Sequence, residues 1–110
     1  ERFSVQQLVV VKRAGQREMF DREKLTRSIL TALRKRPVTQ AQIAQVVSDI
    51  EGQFTDASRS EVSSWELGEA VLNALKGVDF IGYIRYASVY HEFKGVEDFA
   101  AVVEGLKETP

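Results

Sequence analysis

Apolar residues recur three and four apart in five separate stretches of this chain, and a cap, a proline or a glycine cuts each stretch short. That spacing gathers them on one face of a helix, and breaks at this frequency put the mean helix length near three turns. The first stretch is Leu25, Ile29, Leu30 and Leu33, with Asp21 as a cap and Arg34-Lys35-Arg36 then Pro37 at its end. Thr39 and Gln42 have the spacing of a capping box before Ile43, Val46, Val47, Ile50 and Phe54. Ser63 and Glu66 repeat it before Leu67, Val71, Leu72 and Leu75, with Gly77 as the stop. Asp79 caps a fourth helix through Tyr83, Ala87, Tyr90 and Phe93, and Gly95 separates it from a fifth with Val96, Phe99, Val103 and Leu106. Thr55 to Glu61 is polar and reads as a loop.

Only the opening departs from this pattern. Leu8-Val9-Val10-Val11-Lys12-Arg13 is β-branched and reads as a strand, Ala14-Gly15 as a turn, and Arg17-Glu18-Met19-Phe20 as the return strand. Two strands alone are marginal in water, so the hairpin must rest on the helices. The expected class is mainly α: a short bundle of four or five helices capped by an N-terminal two-stranded hairpin.

At 110 residues the chain suits one domain. It has no cysteine, which excludes disulfides and thiolate metal sites from it. No apolar run approaches the roughly 20 residues of a membrane span and no secretory signal opens the chain, so the expected location is the cytoplasm, with no membrane partner. Fifteen basic residues face sixteen acidic ones, without the basic excess of a domain that grips DNA by itself.

The densest cations are Lys12, Arg13, Arg17 and Lys24, around the turn and the first helical turn. Lys is a mobile point charge and Arg a planar fork, and a helix N-terminus adds open N–H groups, so a polyphosphate suits this corner. Two facts weigh against it. Adjacent strand residues point to opposite faces, so Lys12 and Arg13 share a ligand only if the strand twists or ends between them. Clustered charges are also the norm on a solvated surface.

The run Val10-Val11-Lys12-Arg13-Ala14-Gly15, with Glu18 and Phe20-Asp21-Arg22-Glu23-Lys24-Leu25, resembles the opening signature of the ATP-cone family. Lys35-Arg36-Pro37-Val38, Tyr83-Ile84-Arg85-Tyr86-Ala87-Ser88-Val89-Tyr90, Phe93 and Asp98-Phe99 are similar to its NrdR-type branch, the transcriptional repressors of ribonucleotide reductase genes. Glu1-Arg2-Phe3-Ser4 is similar to the exit from that repressor's zinc ribbon. The resemblance implies that residues 1–7 are a linker remnant and that 8–110 form an ATP-cone. It implies ATP and/or dATP as regulatory ligands, with or without Mg²⁺. Lys12, Arg13 and Lys24 would hold phosphates, Val10 and Glu18 would belong to the pocket, and Ser64 and Tyr90 would lie near the nucleotide. It also implies a homo-oligomer that responds to nucleotide, with DNA held only through a zinc ribbon that this chain lacks. The alternative is the allosteric cone of a ribonucleotide reductase. Catalysis is not expected, because no Gly-rich Walker loop is present.

The chain departs from the family pattern in places. Ala14 stands where a polar residue is common, His91 where the repressors usually have Arg, and Gly82 where Ala would favour the helix by about 1 kcal/mol. The chain begins with Glu1, as a trimmed or processed protein would. Tyr83, Tyr86 and Phe93 read as core or interface, His91 as surface and Trp65 as partly exposed.

Overall fold

The computed structural model describes residues 8–55, 59–92 and 95–107. Strands β1 (Val9–Val11) and β2 (Arg17–Met19) pair antiparallel, with Val10 opposite Glu18. Helices α1 (Arg22–Ala32) and α2 (Gln40–Thr55) follow. A third strand, β3 (Glu61–Ser63), runs directly into α3 (Ser64–Lys76), and α4 (Phe80–Tyr90) and α5 (Val96–Lys107) complete the order.

The class is the expected one, but the hairpin is part of a three-stranded sheet in the order β2-β1-β3. β3 lies parallel to β1 with Val62 beside Val10. The loop read over Thr55–Glu61 is corrected at both ends, since Thr55 closes α2 and Glu61 opens β3. A three-residue strand with one buried apolar residue offers no alternation to read. The hairpin strands are also shorter than the apolar run implied. β1 stops at Val11, and a turn follows in which the Gly15 N–H donates to the Lys12 carbonyl at 2.8 Å. Gly15 takes a φ of 88°, which the missing Cβ permits.

The core gathers Ile29, Val47, Ile50, Val62, Val71 and Leu75, each almost fully buried. Burial of side chains this size contributes roughly 1.5–3 kcal/mol apiece. Leu30, read as part of the first stripe, is 43% exposed on the outer side of α1. The four caps form as read. Asp21 accepts from the N–H groups of Glu23 and Lys24, Thr39 and Gln42 bond reciprocally, Ser63 and Glu66 close a capping box, and Asp79 accepts from the Gly82 N–H.

The end of α1 differs from expectation. The helix stops at Ala32, and Arg34-Lys35-Arg36 lies beyond it in a turn where Lys35 has a φ of 61°. The cation at this helix end comes from α4: Arg85 Nη1 donates to the carbonyls of Ala32 and Arg34 at 3.2 and 2.7 Å. Arg36 turns instead to Asp79. Gly82 belongs to the same junction, because a Cβ there would lie 2.3 Å from Leu33 Cδ2. The residue that weakens α4 as a helix therefore lets it approach α1. Helix α4 ends at Tyr90 with exposed His91 as its C-cap, and Phe93 lies outside the described residues. Tyr83 and Tyr86 pack on the core as half-buried residues. Of the apolar residues read for α5, Val96 is 78% exposed and Val103 half-buried, while the side chains of Phe99 and Leu106 fall outside the description.

Candidate functional site

Residues two apart on a strand share a face, as do residues directly opposite on paired strands. Val10 and Lys12 are two apart, Glu18 faces Val10, and Phe20 follows Glu18 by two. These four point from the hairpin onto the helices and line one cleft of about 270 Å³. Helix α1 and its N-cap supply Asp21, Lys24, Leu25 and Ser28, whose helical spacing gathers them on one side. Helix α3 supplies Ser64, Leu67 and Gly68 from its first turns, and α4 supplies Tyr86 and Tyr90. Six of the seven residues singled out in the sequence therefore meet in this cleft: Val10, Lys12, Glu18, Lys24, Ser64 and Tyr90.

The seventh, Arg13, lies elsewhere. Arg13 turns away from Lys12, stands 3.5 Å from Glu92 and is 70% exposed. With Ser64, Trp65, Tyr90 and Glu92 it lines a neighbouring cavity of about 350 Å³. Lys12 and Arg13 both lie beyond β1, where the chain enters the turn, and their side chains go to different cavities.

At the mouth of the cleft both lysines converge on one carboxylate. Lys12 Nζ stands 3.3 Å from Glu18 Oε2, and Lys24 Nζ donates to Glu18 Oε1 at 3.2 Å. The bond from Lys24, and then that from Lys12, holds the Glu18 carboxyl below the usual carboxylate range. All three side chains stay between 40% and 58% exposed, so an arriving anion meets them without unfolding anything. The helix start is less open than the sequence implied, because Asp21 Oδ1 already takes the N–H groups of Glu23 and Lys24 at 3.0 and 3.2 Å.

The inner wall is apolar and aromatic, with Phe20, Leu25, Leu67 and the rings of Tyr86 and Tyr90, the two rings stacked at 6.2 Å. The Tyr90 hydroxyl sits at an exposed edge of this wall. It donates to the Trp65 carbonyl at 2.9 Å, and its pKa is pushed up to about 12 by desolvation, then by the charge of Glu69. Trp65 is 53% exposed, with its ring 5.3 Å from that of Tyr90. Cations at the rim and flat apolar walls within suit a ligand that joins phosphates to a planar ring.

Sequence reading missed Phe20, Leu67, Gly68 and Tyr86 as cleft residues. A glycine in mid-helix costs about 1 kcal/mol against alanine, so Gly68 carried a signal of a packing reason.

The ATP cone domain family matches residues 8–96. The chain belongs to the ATP-cone family. Its relatives include the transcriptional repressor NrdR of Hyphomonas neptunium, 54% identical over 94% of this chain and 65% of the repressor. The NrdR of Thermosynechococcus vestitus is 46% identical over the whole chain and 68% of its own length, and that of Brucella ovis 47% identical over 96% and 67%. This ATP-cone thus spans about two thirds of the length of the curated NrdR repressors it matches, and the regulatory, nucleotide-sensing role expected from the sequence fits that membership. Among the described residues of the cone, no group of three or more His, Cys, Asp or Glu is placed to hold a metal ion. None of its described helices is long and apolar enough to cross a membrane.

Proposed function

We propose that this ATP-cone is the adenine-nucleotide sensor of a bacterial repressor of ribonucleotide reductase genes, binding ATP and dATP without turning them over. The observation that carries the reading is the convergence of Lys12 and Lys24 on Glu18 at the mouth of a cleft walled by Tyr86 and Tyr90. Phosphate oxygens replace the Glu18 carboxylate as partners of the two lysines, and the base lies inward against the rings. A charge-assisted contact of this kind is worth about 1.5–3 kcal/mol. Arg13 sits across Tyr90 and serves the nucleotide from that side. Any Mg²⁺ enters on the phosphates, as that ion usually does.

The repressor acts in the cytoplasm, holds DNA through a zinc ribbon outside this chain, and answers nucleotide identity by changing its self-association. A ligand shifts an assembly equilibrium only through unequal affinity for its states, so the pocket must touch an element that meets a partner. Helix α4 is the candidate for that element, and what supports it is that Tyr90 lines the cleft while Ile81 and Val89 of the same helix stand 38% and 78% exposed. Sedimentation of the domain alone, with ATP and with dATP tests the coupling. Species that differ with the nucleotide support it, and one unchanged monomer in all three conditions overturns it. Steady phosphate release would overturn the non-catalytic part.

A further inference from the structure

Tyr90 lies across α3 at Gly68, and nothing larger than hydrogen fits between them. A Cβ built on Gly68 would stand 2.0 Å from Tyr90 Cε1, 2.6 Å from Cδ1 and 2.8 Å from Cζ, all well inside contact distance. The ring is tied on the same helix three residues earlier, where its hydroxyl donates to the Trp65 carbonyl. Tyr90 and Ser64 line both the cleft and the neighbouring cavity that holds Arg13. The ring is therefore a partition between two cavities, seated in a notch that only glycine provides.

We infer that Gly68 is a positioning residue of the nucleotide site: the absence of its side chain sets Tyr90 as the wall between the cleft and the Arg13 cavity. The inference rests on the function proposed above but has its own readout. A methyl at position 68 displaces the ring, breaks the bond to the Trp65 carbonyl and joins the two cavities, so a base in the cleft loses its wall. The helix itself would gain from the change, because alanine is the better helix former. A merely structural glycine thus gives altered stability with unchanged binding, and a positioning glycine gives weaker binding.

The test is a double-mutant cycle of Gly68→Ala and Tyr90→Ala, read by dATP calorimetry and by the emission of Trp65, the single tryptophan of the chain. In the nucleotide-free protein, Gly68→Ala is expected to move the Trp65 emission to that of Tyr90→Ala. It is expected to weaken dATP binding about tenfold in the wild-type background and not at all beside Tyr90→Ala, as for two residues in contact. Wild-type emission and affinity in Gly68→Ala, or an equal loss in both backgrounds, would overturn the inference. If Gly68→Ala fails to fold, recovery of the fold in the double variant supports the clash with Tyr90, and failure there too overturns it. A wild-type protein that binds neither ATP nor dATP contradicts the proposed function instead, and the emission comparison still decides the role of Gly68.

Discussion

Arg36 holds Asp79 with two bonds, Nε to Oδ2 at 2.8 Å and Nη2 to Oδ1 at 3.1 Å. The same Asp79 carboxylate caps α4 through the Gly82 N–H, so one side chain fixes the start of the helix and its place beside the α1–α2 turn. Arg36 holds its carboxyl below the usual range. Loss of the cap costs about 1 kcal/mol, and loss of the charged partner of a half-buried Arg adds to it. Asp79→Ala is expected to lower stability by about 2 kcal/mol in urea denaturation, and Asp79→Asn, which keeps a capping oxygen, by less. Equal stability of all three proteins would show the bond to be without consequence.

Gly82 tests whether close approach outweighs helix propensity. An exposed Gly→Ala change in a helix gains about 1 kcal/mol, whereas overpacking a core costs about 1–3 kcal/mol. With Leu33 Cδ2 only 2.3 Å from the added Cβ and Leu33 itself 4% exposed, overpacking wins. Gly82→Ala is expected to lower the melting temperature of the wild-type protein and to raise that of a Leu33→Ala protein, where the space is open. A rise in both backgrounds would mean that Leu33 yields at no cost.

The Arg59–Glu66 pair gives a pH signature. The two terminal guanidinium nitrogens of Arg59, Nη1 and Nη2, donate to the Glu66 carboxylate, at 2.7 and 2.9 Å. That pair, then the bond from the Ser63 backbone, lowers the Glu66 pKa from 4.5 to about 2. A carboxyl whose pKa is lower in the folded state stabilises the fold above its unfolded value and loses that contribution as pH falls through the folded one. Stability is therefore expected to fall between pH 4.5 and about 2, and Arg59→Ala is expected to flatten that part of the curve. The pair is exposed, so the effect is small and salt-sensitive. Parallel curves for the two proteins would remove Glu66 as the source.

What the sequence disclosed was mostly local. Asp21, Thr39, Ser63 and Asp79 cap as read because capping depends on neighbours within one turn, and the core stripes of α1 to α3, apart from exposed Leu30, follow from helical spacing. The cleft was legible in part because period-two alternation already places Val10, Lys12 and Glu18 on one face. The illegible features are contacts between segments far apart in the chain. These are the pairing of Val62 with Val10, the reach of Arg85 to the Ala32 carbonyl, and the notch that Gly68 makes for Tyr90. Arg13 was the informative case: its nearness to Lys12 in the sequence, and the family likeness, had both grouped the two, yet they line different cavities beyond the end of β1.

Removal of the cations at the cleft mouth tests the account most directly. Isothermal titration calorimetry with ATP and with dATP compares the wild-type domain with Lys12→Ala and Lys24→Ala. Each variant loses an exposed side chain, which costs the fold about 0.5 kcal/mol or less, and a phosphate contact worth about 1.5–3 kcal/mol. The predicted result is binding by the wild type, affinity weaker by about tenfold or more in each variant, and nucleotide-free melting temperatures close to wild type. Absence of binding heat in the wild type, or wild-type affinity in both variants, would contradict the placing of the nucleotide in this cleft.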